Sequence, residues 1–296
     1  MKLALGTAQF GMAYGIANRG GRPDLAVVEE ILGRARALGI DTLDTAIAYG
    51  DAEERLGRVG VSDLRVVTKI PGVPADVEDV AAWVVASIEG SLERLGVPRL
   101  HGVLLHRPGQ LTGPAGADLL EGLDRLVGQG VADRVGVSVY GPEELDALPA
   151  GWLPGLVQAP LSLFDCRLAD SGWLARLAEA GVEVHTRSCF LQGLLLMEPD
   201  ARPSFVDAWA DHFARYDAFV AERGITRVQA ALGGVVARPG VDRVVVGVDH
   251  ARQLDEVAGV ASSPPSLPPS PLCCEDVGLI DPAQWPPTPR NDEVRT

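Results

Sequence analysis

Asp44, Tyr49, Lys69 and His106 stand at the ends of three successive strand-like runs, or in the loop that leaves one of them. A carboxylate, a phenol, an ammonium and an imidazole are the raw materials of proton transfer. The phenol is the natural donor, but its reference pKa is ~10 and each unit of depression needs ~1.4 kcal/mol. A lysine ~4 Å away, at an effective dielectric of about 20, supplies roughly 4 kcal/mol. The spacing therefore predicts that Lys69 acidifies Tyr49 while Asp44 keeps the lysine charged and in place. Taken singly, each residue has a plainer reading: a carboxylate capping a turn, a loop aromatic beside Gly50, a solvated rim charge, an imidazole bonded in the loop before Arg107 and Pro108. The ordered set, not any one member, marks a site.

To bring four such groups together the chain must align the C-terminal ends of parallel strands. Residues 3–6 read as a first strand, followed by a glycine-rich loop over 11–21. That loop lacks the Gly-Lys-Ser/Thr ending of a phosphate loop, so its glycines serve turns and close approach. Asp24 reads as the cap of a helix over 25–38, with Val28, Ile31, Leu32 and Ala35 at helical spacing. Further strands are predicted over 41–45, 65–70, 100–106, 134–139, 156–159, 182–188 and 242–248. Helices fall between them over 53–59, 77–95, 117–126, from Pro142, over 169–180, 205–223 and 226–236, and a last one over 251–260. This alternation implies an α/β fold with one parallel sheet, and strand-end polar residues are where such a barrel does chemistry.

The chain has 296 residues, 47% of them hydrophobic, and a formal net charge of −14. That length suits a (β/α)8 TIM barrel with modest additions. The acidic balance argues against nucleic acid and anionic membrane as partners. No run of ~20 apolar residues is available to span a bilayer, and residues 1–6 are too short to serve as a secretory signal. Cys166, Cys189, Cys273 and Cys274 show no zinc-like spacing and read as reduced thiols of a cytoplasmic protein, with a redox-active Cys273–Cys274 pair as the alternative. His101 and His106 are five apart on one strand and so face opposite ways. His185, His212 and His250 have no evident carboxylate partner, so no metal site is expected. From residue 262 the composition turns to proline and serine, dividing a barrel (1–261) from a C-terminal extension (262–296). Leu279, Ile280 and Trp285 are apolar enough to dock that extension on the barrel; a tail without docking is the alternative.

The tetrad Asp44, Tyr49, Lys69 and His106 resembles, in order, that of the aldo-keto reductase family. The likeness runs from Leu3, Gly6 and Thr7 to Val246, Gly247 and Val248, and is nearest to bacterial members whose N-terminus begins with the first barrel strand. The resemblance implies NAD(P)H-dependent reduction of an aldehyde or ketone, a sugar or keto-sugar included. Tyr49 would donate the proton, Lys69 paired with Asp44 would tune it, and His106 would orient the carbonyl. Ser138 and Gln158 match the groups that hold the nicotinamide carboxamide, although the family's asparagine after that serine is here Val139. Where the family places an aromatic ring against the nicotinamide, this chain has Arg187, then Ser188; the arginine either stacks there, favouring reduced cofactor, or turns to a substrate carboxylate or phosphate. Gln192 and Gly193 open a loop over the pyrophosphate. Gly247 and Asp249 fall in the loop after the last strand, Arg252 at the following helix N-terminus, and Gln253 and Glu256 keep the family's three-residue spacing. NADPH is the cofactor the family implies, with NADH open because Asp249 has the wrong charge for a phosphate. Arg107 and Asp165 are rim candidates for substrate hydroxyls. Two other readings fit the same residues: a cofactor-binding regulatory subunit, and an isomerase or lyase that retains its cofactor. The sequence carries no sign of the oligomeric state.

Overall fold

The computed structural model describes residues 1–268 and 271–286. Eight parallel strands close on themselves in sequence order: β1 (Leu3–Gly6), β2 (Thr42–Asp44), β3 (Arg65–Ile70), β4 (Leu100–Leu105), β5 (Ala132–Ser138), β6 (Leu156–Pro160), β7 (Glu183–Arg187) and β8 (Arg243–Gly247). β1 pairs with both β2 and β8, which closes the barrel and removes every sheet edge. The strands are short and almost wholly buried because helices cover their outer faces. Helix Leu25–Ala37, for instance, buries Val28, Ile31, Leu32 and Ala35. Inside the barrel Val67, Leu104 and Leu156 pack together as a plug beneath the mouth.

Two helices differ from the sequence expectation. The one expected over 169–180 is two short pieces, Arg167–Asp170 and Trp173–Glu179, separated at Gly172, whose φ of 79° no helix accommodates. The one expected over 205–223 begins as 3-10 turns (Ser204–Trp209) before the α-helix Ala210–Arg223. Asp24 occupies its cap position without a side-chain cap bond.

At the N-terminal end of the barrel Glu183 collects hydrogen bonds from His101 (3.0 Å) and His185 (2.8 Å) and an ion pair with Arg134 (3.2 Å). Burial pushes against the charged form there, but the two imidazoles carry Glu183 well below the usual carboxylate range. His185 therefore does have a carboxylate partner, contrary to the sequence expectation; Glu183 lies two residues before it, on the same side of one strand.

A second apolar cluster lies outside the barrel. Leu163, Phe164, Phe213 and Tyr216 meet Leu272, Leu279, Ile280 and Trp285 there. The Trp285 indole donates to the Leu279 carbonyl (3.0 Å), and Trp209 donates to Asp276 (2.8 Å). Cys166 and Cys273 form a disulfide across 107 residues of chain, which overturns the expectation of four reduced thiols; Cys189 and Cys274 are free. Nothing local announces this pairing, because the two cysteines are 107 residues apart and only the fold brings their sulfurs together. A loop of that length is worth about 4–5 kcal/mol in the chain-entropy account. Reduction with dithiothreitol, or a Cys166→Ser/Cys273→Ser double variant, is therefore expected to lower the urea midpoint by the equivalent of about 2–5 kcal/mol. An unchanged midpoint in both would show that the crosslink does not constrain the unfolded chain.

Among the described residues no helix is long and apolar enough to cross a membrane.

Candidate active site

The turn after β2 sets the geometry. The Thr7 N–H and hydroxyl both donate to the Asp44 carbonyl (2.9 and 3.0 Å). Thr45 N–H donates to Val67 and Ile47 N–H to Lys69, so the chain keeps pairing with β3 beyond the strand end. Tyr49 is then placed by a close backbone crossing. A Cβ on Gly11 would lie 1.7 Å from the Tyr49 carbonyl oxygen, and one on Gly50 (φ 58°) would lie 2.5 Å from the Gly11 oxygen. Only two glycines let these segments touch.

Below that turn Lys69 Nζ donates to Asp44 Oδ1 (2.7 Å) and to the Thr45 carbonyl (2.8 Å), and sits 5.1 Å from the Tyr49 ring centroid. The Tyr49 and His106 rings meet edge to face at 6.1 Å. Asp44, Tyr49, Lys69 and His106 are thus brought together. Asp44 Oδ1 also accepts from Gln158 Nε2 (2.6 Å), so that amide is engaged within the site itself.

The electrostatics differ from the sequence expectation. Burial, and then the Asp44 charge, push the Tyr49 phenol well above its ordinary value, while Arg187 pulls the other way. Burial pushes the Lys69 ammonium down against the support of Asp44. The lysine spends its charge on Asp44 and Thr45, and a buried phenol loses more from desolvation than such a neutralised neighbour returns. Tyr49 therefore holds its proton at neutral pH. Burial, and then Lys69, lower His106 to about 4, so it is a neutral hydrogen-bonding ring in the physiological range. Its stabilising contribution is fully present above the unfolded value of ~6.5 and is lost, on the order of 3 kcal/mol, as pH falls through about 4. The pH profile of turnover should accordingly show no acid limb near 6.5 that His106→Gln removes; such a limb would mean that the ring titrates normally.

From Asp44 and Tyr49 a trough runs across the mouth over the exits of β6, β7, β8 and β1, with about 1120 Å³ of space including its open side. Gln158, Arg187, Ser188, Gln192 and Gly193 line its middle, and Gly247, Asp249, Gln253 and Glu256 its far end. Two residues expected there do not line it: Ser138 is buried at the end of β5, and Arg252 points to solvent from the exposed face of its helix. Of the rim candidates, Asp165 is 1% exposed and clamps Arg167 (2.8 and 2.9 Å), so it is shielded from a substrate hydroxyl; Arg107 is exposed. Burial raises the Asp249 carboxyl above its usual range. Ser188, Leu191 and Gln192 all adopt left-handed backbone (φ 63°, 45° and 53°), a cost concentrated where the trough needs a shaped wall.

Several contributors escaped sequence reading. Gln9, Tyr14 and Asn18 reach the trough from the β1 side, and Asn18 bonds Asp249 (3.4 Å). On the opposite face of β3 from Lys69, Thr68 donates to the buried Glu53 (2.6 Å), which also takes bonds from Ser91 (3.1 Å) and Arg94 (2.8 Å). A glutamate at the start of a short amphipathic helix looks solvated in sequence; only the approach of helix Val80–Leu95 buries it.

The Aldo/keto reductase family model matches residues 2–266, and the chain belongs to that family. It is thus an NAD(P)H-dependent oxidoreductase, with carbonyl reduction as the general reaction. Over 248 residues the chain is 27% identical to 6-dehydroglucose reductase of Agrobacterium fabrum (strain C58), covering 75% of this chain and 78% of that one. Among solved structures, the holo form of an aldo-keto reductase from Bacillus halodurans superposes with a TM-score of 0.68 at 20% identity, covering 90% of this chain and 88% of that chain. A Pseudomonas aeruginosa protein assigned to the same family gives 0.65 at 22%, covering 88% and 90%. At these identities the two structures speak to the fold.

Proposed function

We propose that the protein reduces an aldehyde or ketone with Tyr49 as proton donor. The observation that carries this reading is the bond of Lys69 Nζ to Asp44 Oδ1 (2.7 Å) directly beside the Tyr49 ring at the head of the trough. When bound, a reduced nicotinamide supplies the hydride to the carbonyl carbon. The residues present fit such a dinucleotide: a trough lined by Gly193 and Gly247 and shaped by left-handed turns at Ser188 and Gln192. Gln158 would leave Asp44 to hold the carboxamide, and Gln192 would lie over the diphosphate. Neutral His106 offers one N–H to the carbonyl oxygen. As negative charge gathers on that oxygen, Tyr49 gives up its proton to it. A phenol with a raised pKa remains a stronger acid than an alcohol, so the proton passes from Tyr49 to the forming alkoxide. The Lys69 charge steadies the phenolate once it forms.

The resemblance favours NADPH. The far end of the trough instead carries the carboxylates of Asp249 and Glu256, with Arg252 on the solvent side. A 2′-phosphate there meets like charge, so NADH is expected to bind at least as tightly as NADPH. Titration of both cofactors against tryptophan fluorescence checks this; a tenfold or greater preference for NADPH would reverse it. Similarity to 6-dehydroglucose reductase supports a sugar-like carbonyl as substrate. The deciding experiment is steady-state cofactor consumption on a panel of aldehydes, ketones and keto-sugars. Turnover with one cofactor oxidised per carbonyl reduced supports the reading. Binding without turnover would indicate a regulatory subunit, and product formation without cofactor consumption an isomerase or lyase.

A further inference from the structure

Arg187 ends β7, and its side chain crosses the barrel mouth to β5. Nη2 donates to the Val139 carbonyl (3.0 Å), Nη1 to the Ser188 hydroxyl (3.1 Å), and the guanidinium carbon lies 4.6 Å from the Tyr140 ring centroid. Both acceptors are neutral. Arg167, the other arginine at Tyr140, contrasts with it: that guanidinium holds the Tyr140 carbonyl (2.9 Å) while Asp165 neutralises it. Arg187 has no ion pair among the described residues.

A guanidinium carries five N–H donors, of which two are occupied here. The remaining ones lie in a plane that Tyr140 and the left-handed Ser188 hold still. Asp44 and Lys69 cancel, and His106 is neutral, so Arg187 leaves a net positive charge beside the reacting groups of a chain that is acidic overall. Its field reaches Tyr49, Lys69 and His106. A planar fork with spare donors and no counter-ion matches a carboxylate.

We propose that Arg187 selects substrates by binding a carboxylate carried on the carbonyl compound, so that the preferred substrates are aldehydo- or oxo-acids, sugar acids included. This rests on the reductase reading above. The same donors also suit a cofactor phosphate, and the test separates the two sources.

The ratio of kcat/KM for succinate semialdehyde over butanal is measured for the wild type, Arg187→Gln and Arg187→Lys, together with the NADH and NADPH dissociation constants. The wild type is expected to favour the carboxylate-bearing aldehyde by tenfold or more. Arg187→Gln should erase that preference, mainly through KM, with cofactor affinity changed less than threefold. Arg187→Lys should keep part of it, and reads the same ratio if the glutamine variant does not fold. A wild type that treats the two aldehydes alike overturns the proposal. So does an Arg187→Gln variant that loses tenfold in cofactor affinity while keeping the ratio, since the guanidinium then serves a cofactor phosphate. Absence of turnover on every carbonyl strikes the reductase reading instead, whereas equal turnover on both strikes only the carboxylate assignment.

Discussion

Replacing Tyr49 by phenylalanine is expected to reduce kcat by about 10²–10⁴-fold, the range a positioned general acid contributes. Cofactor affinity should stay within about threefold, because the ring and its edge contact with His106 persist and only the hydroxyl is lost. The fold should tolerate the change, since the backbone of residue 49 is fixed by Gly11 and Gly50 rather than by the hydroxyl. Cofactor titration and single-turnover kinetics on the purified variant check both halves. Wild-type rates would remove Tyr49 from proton transfer and leave the family fold without the mechanism proposed for it. The raised phenol pKa sharpens the test, because any high-pH limb in the reductive direction belongs well above the ordinary phenol value.

Breaking the Asp44–Lys69 pair should be the most damaging change to stability in the site. The two side chains are 5% and 1% exposed and 2.7 Å apart. Losing one partner leaves the other charge buried and uncompensated, at about 3–5 kcal/mol. Asp44→Asn and Lys69→Met are each expected to lower unfolding free energy by that amount, and the double variant by much less than the sum. The Asp44→Asn variant adds a pH signature. With Asp44 neutral, Lys69 loses its main support, while the burial and the Arg187 charge that depress it remain. Between that depressed value and the unfolded ~10.4 the unfolded chain binds more protons than the folded one, so the variant's stability should rise with pH across this window. Urea titrations at several pH values read out all three variants. Additive losses, or an Asp44→Asn deficit indifferent to pH, would show that the pair is not held as a buried ion pair.

Much of the fold was legible because its signals are local. Apolar runs of strand length alternate with segments of helical period, and one right-handed parallel architecture satisfies that order. The four polar residues could be picked out for the same reason. Each sits at a strand exit, and strand exits of a barrel face one way, so Asp44, Lys69 and His106 were bound to share a mouth once the strands were placed. The trough residues after β7 and β8 could be found by position, but not sorted. Ser138 and Arg252 fall at suitable places in the chain and still miss the trough, because side-chain direction at a strand end or helix start turns on a single step of register.

The sequence by itself determined the barrel, the order of its strands and the identity of the four groups at its mouth, all of which follow from short-range pattern. Tertiary structure alone decided their electrical state and their company: Tyr49 is made less acidic by burial, Glu53 is buried by helix Val80–Leu95, Cys166 is joined to Cys273, and Arg187 is left without a counter-ion among the described residues. The physical reason is that desolvation and ion pairing depend on what packs around a group in space. The neighbours that matter here come from elements far apart along the chain.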